Sequence, residues 1–196
     1  MHRVIGKEMY EQLGAELGIE QSELYKTESN YKIAIRNYTY RRYESINTLL
    51  RAGESSRKHQ IAVELLVQAL ESLPVHDEPY LVRWTNLTPE HLRLLSSEGN
   101  IVRELSFTST SRDPGFFLSG YRHRLLIKHY NGRYIAPWSC YDDIEDEVLI
   151  PPEAVFKTHG YSDEHGSYLL TQLSDEEIRA LGEQGSISGE DVGGDE

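Results

Sequence analysis

The hydrophobic period of this chain changes at Pro74, and that change constrains the fold more than any other feature of the sequence. Before it, Ile5, Met9, Leu13 and Leu17 recur at every fourth residue, the spacing that lines one helix face, and Gly18 is a natural stop. Thr39 is placed to cap a second helix over Tyr40 to Arg51, in which Tyr43, Ile46, Leu49 and Leu50 repeat at helical intervals before Gly53. A third is expected from Ser55 to Ser72, where Ile61, Leu65, Ala69 and Leu73 keep the period until Pro74 breaks it. After Pro74, Tyr80-Leu81-Val82-Arg83-Trp84 is short, apolar and aromatic and reads as a strand. Thr88-Pro89-Glu90 then opens a short helix to Ser97, which Gly99-Asn100 closes. Strands are expected over Ile101 to Ser111, Arg124 to Lys128, Arg133 to Ala136, Glu147 to Ile150, Ala154 to Thr158 and Ser167 to Gln172. Turn residues such as Asn131-Gly132 and Pro151-Pro152 separate them. Helices first and strands later, without βα alternation, place the chain in the α+β class and not among doubly wound sheets.

The chain reads as one domain over residues 1–173, helical to residue 75 and mainly β from 76 to 173, followed by a tail over 174–196. That tail holds eight acidic side chains, one arginine and five glycines. Ser174-Asp175-Glu176-Glu177 matches a capping box, so a short helix is expected to precede a disordered acidic end. The 20 Lys and Arg against 32 Asp and Glu give a net charge of −12, which opposes a general nucleic-acid or anionic-membrane binder, since both need a basic footprint. No apolar run approaches the roughly 18 residues of a spanning helix, and the first eight residues lack the apolar core of a signal peptide. Synthesis in a cytosol is expected, with delivery into a target cell by another route left open.

Cys140 is the single cysteine, so no intramolecular disulfide can form, and the acidic residues around it disfavour a reactive thiolate. The eight histidines are scattered without a zinc-binding spacing, and no metal is expected. Asn37-Tyr38-Thr39 and Asn86-Leu87-Thr88 are glycosylation sequons in form only. Three elements draw attention together: Arg83 at the end of the first strand, Phe107-Thr108-Ser109-Thr110-Ser111, and Glu145-Asp146-Glu147-Val148-Leu149-Ile150-Pro151. Each alone has an ordinary structural explanation as a surface arginine, an edge strand or a solvated acidic loop.

In this order they resemble the R-S-E class of mono-ADP-ribosyltransferases, which includes the enzymatic components of clostridial binary toxins, many bacterial effectors and arginine-specific vertebrate ectoenzymes. Tyr38-Thr39, Tyr43, Ile46-Asn47 and Leu50-Arg51 look like that family's helix motif as well. The likeness covers roughly residues 29 to 173. It implies a helical N-terminal part packed on a split β-sandwich that clamps NAD in a central cleft, with NAD as co-substrate and no metal.

By the same resemblance Glu147 accepts the hydrogen bond of the ribose 2′-hydroxyl, Ser109 orients Glu147 and the nicotinamide side, and Arg83 holds a phosphate. Thr110 and Ser111, which complete the motif strand, and Trp84, next to Arg83, are expected to line the NAD site with them. Breaking the nicotinamide–ribose bond develops positive charge on the sugar, so a fixed anion beside it and a cation near the pyrophosphate make chemical sense independently. In extended backbone, Glu145 and Glu147 project from one face with Cα atoms roughly 6.6 Å apart, and one carboxylate can serve the donor while the other serves the acceptor. In the family this E-x-E pattern accompanies transfer to arginine. The segment Arg112 to Arg122 occupies the place of the family's phosphate–nicotinamide loop, where Tyr121 or Phe117, with Arg122 or Arg124, could meet the dinucleotide.

Two departures from the family pattern stand out. Trp84 follows the arginine where a small residue is usual, which alters the shape of the cleft. Tyr141 and Asp142 occupy the acceptor-recognition loop in a shifted arrangement, with Trp138 nearby. The expected function is transfer of ADP-ribose from NAD to an arginine of a target protein by a bacterial or phage toxin or effector, for which an immunity protein is a conceivable further partner. The alternatives are a nucleic-acid base as acceptor, which the E-x-E pattern and the negative charge disfavour, and a catalytically silent binding module.

Overall fold

The computed structural model describes residues 1–53, 56–141 and 146–183. They form two compact units: residues 1–74 with 134–145, and residues 75–133 with the chain from 146 onward. Among the described residues, no helix is long and apolar enough to cross a membrane.

The first unit is helical. The expected helix over Ile5 to Leu17 is broken in two, α1 (His2–Ile5) and α2 (Lys7–Glu16), because Gly6 between them adopts φ 90°, a conformation that residues with a Cβ avoid. Tyr10 and Leu13 of α2 are buried with Leu24 and Ile33, and Ile5, Met9 and Leu17 pack around them. Gly14 lies so close to Leu24 that a Cβ there would collide with its side chain.

The helix α3 (Thr27–Asn37) has no counterpart in the periodicity reading. Ile33, Ala34 and Ile35 are consecutive and all buried, so α3 is covered on more than one side and shows no stripe of period four. It runs through a π-helical turn, Tyr38–Arg42, into α4 (Tyr43–Ala52). The expectation that Thr39 starts a helix is therefore wrong: its hydroxyl turns back to the carbonyls of Ile35 and Arg36, at 3.3 and 3.2 Å, inside continuous helix. Gly53 ends α4 in the left-handed conformation, and Ser56 caps α5 (Arg57–Glu71) by accepting from the His59 amide. A 3₁₀ turn over Ala136–Trp138 completes the unit.

The second unit is built on strands. These are β1 (Tyr80–Thr85), β2 (Glu98–Glu104), β3 (Thr108–Ser111), β4 (His123–Lys128), β5 (Arg133–Tyr134), β6 (Glu147–Ile150), β7 (Ala154–Ser162) and β8 (Ser167–Gln172). Their order is β2-β7-β8-β4-β1-β3-β6-β5, with β4 and β8 parallel and the other resolved pairings antiparallel. Thr88 accepts from the His91 amide to cap α6 (Pro89–Ser96), and Ser174 and Glu177 cap α7 (Asp175–Glu183) reciprocally.

The single expected strand over Ile101 to Ser111 is two strands, and their placement shapes the site. Four strands intervene between β2 and β3 in the ladder, yet only residues 105–107 connect them. Laid flat, five strand spacings would separate the two by about 24 Å. The four steps from Glu104 to Thr108 reach at most about 14 Å. The sheet therefore folds back on itself. Side chains from β1, β2, β3, β4 and β7, among them Arg83, Val102, Thr108, Leu125 and Phe156, accordingly line one shared cavity of about 40 Å³. The seam of this rolled sheet lies between β1 and β3, which pair only at Val82 and Ser111, whereas β1 and β4 pair along the whole of β1.

Candidate active site

The seam is where Arg83 sits. It follows the Val82–Ser111 pair, so its strand stays bonded to β4 while parting from β3. Across the opening, Arg83 Nη1 donates to the carbonyl of Ser109 at 2.8 Å. The guanidinium thus occupies the gap that backbone pairing leaves.

Ser109 passes the connection on. In the β3–β6 ladder Ser111 lies opposite Glu147 and Ser109 opposite Leu149, so the four side chains share one face. Glu147 is 3% exposed, and a carboxylate so buried requires a donor. Ser109 Oγ supplies one to Glu147 Oε1 at 2.7 Å. The structure therefore joins three sequence-expected residues, Arg83, Ser109 and Glu147, through consecutive hydrogen bonds. Glu145, the remaining expected catalytic residue, lies outside the described residues, as does Asp142.

The neighbouring hydroxyls hold the frame. Thr110 Oγ1 donates to the Val148 carbonyl at 2.5 Å, and Ser111 Oγ accepts from the Asp113 amide at 3.1 Å, where the chain leaves β3. One register step beyond the Ser111–Glu147 pair, the Arg112 amide donates to the Asp146 carbonyl at 3.1 Å. The Arg112 guanidinium also grips the Asp146 carboxylate with two contacts, at 3.2 and 3.3 Å. That ion pair flanks Glu147 directly, and the sequence reading passed over it. Its signal, an arginine just after one motif and the middle residue of the other, becomes legible only once the register is known.

The loop 112–122 carries the remaining candidates. Tyr121 is exposed at 39% and Phe117 at 65%. Arg122 is exposed and fixed through its amide, which donates to Asn86 Oδ1 at 3.1 Å. Arg124 and Trp84 face backbone carbonyls: Arg124 those of Pro114 and His165, Trp84 that of Phe116. In the helical unit, the half-buried Cys140 donates through its amide to Thr39 Oγ1 at 3.0 Å, and its thiol faces the Arg36 carbonyl.

Residues 5–178 match the model of the ADP-ribosyltransferase exoenzyme family. The chain belongs to this family. A putative NAD(+)–arginine ADP-ribosyltransferase, Mav, of Mycobacterium avium (strain 104) is 34% identical over 136 residues, or 68% of this chain. The match spans only 16% of the Mav protein's length. Among solved structures, the Vis toxin, an ADP-ribosyltransferase of Vibrio splendidus, superposes with a TM-score of 0.59 at 23% identity, covering 91% of this chain and 94% of that one. A complex of Vis with agmatine matches similarly, with a TM-score of 0.60 at 22% identity over 87% of each chain. C3stau2 of S. aureus, solved with NAD, matches with a TM-score of 0.59 at 24% identity, over 83% of this chain and 92% of that one. The fold of the Vis toxin and of C3stau2 is thus shared by this α+β chain.

Proposed function

We propose that this exoenzyme-family chain transfers ADP-ribose from NAD to an arginine side chain of a target protein, releasing nicotinamide, and that it acts as a bacterial or phage toxin or effector. The observation that carries the reading is the hydrogen-bonded series Arg83–Ser109–Glu147 at the seam of the rolled sheet.

In this reaction the bond between ribose C1′ and the nicotinamide nitrogen breaks. Its electron pair leaves with nicotinamide, and the ribose becomes cationic at C1′ and the ring oxygen. Glu147, fixed by Ser109, places negative charge beside that sugar and accepts from its 2′-hydroxyl. A preorganised charge of this kind stabilises the cation without reorganising water around it. Arg83 spends one N–H on the Ser109 carbonyl and directs its other donors to a phosphate of NAD. The second phosphate cation is Arg122, because Arg124 is engaged with loop and hairpin carbonyls. Tyr121 or Phe117 offers a ring to the nicotinamide.

A guanidine nitrogen of the target then forms the new bond to C1′ and loses a proton, which Glu145 accepts. When water takes the place of the guanidine, the same site hydrolyses NAD. Arginine as acceptor is supported by the E-x-E pattern, by the naming of Mav as an arginine enzyme, and by the binding of agmatine, which carries a guanidine, to Vis. The supporting test is incubation with labelled NAD and a cell lysate, followed by protease or nuclease. Release of label by protease alone, together with formation of ADP-ribosyl-agmatine from added agmatine, is the expected result. Release by nuclease alone, or no incorporation, would overturn the proposal.

A further inference from the structure

We infer that Trp84 and Arg124 hold the loop 112–122 in its NAD-receiving shape before NAD arrives, which makes Trp84 a positioning residue for dinucleotide binding. The part concerning NAD rests on the reading of this loop given above.

Trp84 and Arg124 are direct partners in the β1–β4 ladder, so their side chains stand next to each other on one face. Both reach into the same loop. Trp84 Nε1 donates to the Phe116 carbonyl at 2.7 Å, and Arg124 Nη2 donates to the Pro114 carbonyl at 2.9 Å. These carbonyls lie two residues apart, so a single cross-strand pair grips the loop at two nearby points. Arg124 is itself braced: its Nη1 donates to Ser167 Oγ at 2.5 Å and to the His165 carbonyl at 3.0 Å, on the β7–β8 hairpin. The loop's far end is fastened by Asn86, whose Oδ1 receives the Arg122 amide at 3.1 Å and whose Nδ2 donates to the Gly120 carbonyl at 3.4 Å. Between the fastenings, Asp113 Oδ1 accepts from the Gly115 amide at 2.8 Å and closes a local turn.

Such a loop is ordered at its ends and middle while leaving its rings outward. Phe117 is 65% exposed, yet its ring meets the Trp84 indole edge to face at 5.0 Å. An exposed phenyl ring on an unfastened loop would sample many orientations. Here the indole fixes one. A ligand meeting a loop already in shape does not lose affinity to the entropy of ordering it. Tryptophan is suited to both tasks, since its ring supports Phe117 and its N–H satisfies the Phe116 carbonyl. A small side chain at this place could do neither.

The test uses the full chain and its Trp84→Phe variant, which keeps a ring and loses the N–H donor. Amide hydrogen exchange without NAD, calorimetric NAD affinity, and kcat for NAD hydrolysis are measured on both. Exchange over residues 113–121 is expected to accelerate at least tenfold. The NAD dissociation constant is expected to rise roughly tenfold, equivalent to about 1.4 kcal/mol, with kcat within about twofold of the parent. A change in kcat with unaltered affinity would overturn the positioning role. Unchanged exchange would overturn the fastening. Faster exchange with unchanged affinity would show a fastened loop that NAD does not use, which overturns the inference while leaving transferase activity to be judged by the transfer assay. Should Trp84→Phe fold poorly, Asn86→Ala frees the other end of the loop, and faster exchange over residues 119–122 with weaker NAD binding is then expected. Parental values for that variant would count against the inference.

Discussion

Ser109 Oγ donates to Glu147 Oε1 across 2.7 Å although the ladder sets Ser111, and not Ser109, opposite Glu147. The bond is a diagonal one, possible because the glutamate is long enough to lean along its face. Ser111 is occupied at the same time by the Asp113 amide. A hydrogen bond to a buried charge contributes about 1.5–3 kcal/mol, so Ser109→Ala is expected to lower kcat for NAD hydrolysis by roughly 10- to 100-fold. Ser111→Ala should lower it less. The two rate constants, measured without acceptor, check the assignment, and equal losses would refute it.

On the proposed mechanism the two glutamates separate by role. Glu147→Gln retains shape but removes the negative charge beside the sugar, so transfer and hydrolysis should both disappear. Glu145→Gln removes only the proton acceptor for the incoming guanidine, so transfer to agmatine should disappear while hydrolysis persists. Nicotinamide release measured with and without agmatine distinguishes the two. Parental activity in Glu147→Gln would end the mechanism as stated.

How far the sequence reveals this site depends on which interactions are local. Arg83, Ser109 and Glu147 could be singled out because a motif places each within its own strand, and the α6 cap because Thr88 bonds three residues ahead; the α5 cap, Ser56, was not singled out. The helix α3 was hidden because burial on several sides erases the amphipathic period that marks a helix. The division of residues 101–111 into β2 and β3 was hidden because β propensity continues across residues 105–107 while the ladder partners change. The partners of Trp84 and Arg124 were hidden because a sequence shows that a side chain can donate but not which carbonyl lies opposite it.

The Arg112–Asp146 pair extends the β3–β6 ladder by one step at the point where the chain enters Glu147. Both side chains are more than a third exposed, at 38% and 44%, so the ion pair should contribute at most about 1 kcal/mol to stability. Its larger effect is expected on the register that places Glu147. Arg112→Ala and Asp146→Ala are each expected to reduce transfer to agmatine by about fivefold with little change in melting temperature. The exchanged pair, Arg112→Asp with Asp146→Arg, should recover most of the loss. Failure of the exchange to recover activity would show that the two residues act separately.

His129 gives the strand unit a dependence on pH. Its Nδ1 accepts from the Gly132 amide at 3.1 Å, while Nε2 lies 2.8 Å from the Glu78 carbonyl and donates to it, so the ring is held as the neutral tautomer. Burial lowers its pKa below the ordinary 6.5, with help from the charges of His76, stacked at 5.9 Å, and Arg133; the bond to the Glu78 carbonyl opposes the shift. Asp77, 3.8 Å from His76 Nδ1, is the nearby carboxylate. As pH falls, the unfolded chain takes up this proton first, and protonation of the folded ring would set an N–H against the Gly132 amide. The contribution to stability is therefore complete above the unfolded value, declines as pH falls from there toward the lower folded value, and is constant below it. Melting temperatures between about pH 8 and about pH 5 should fall more steeply for the parent than for His129→Gln. Subtracting the two curves removes the other titrating groups, and parallel curves would show that His129 does not set the slope.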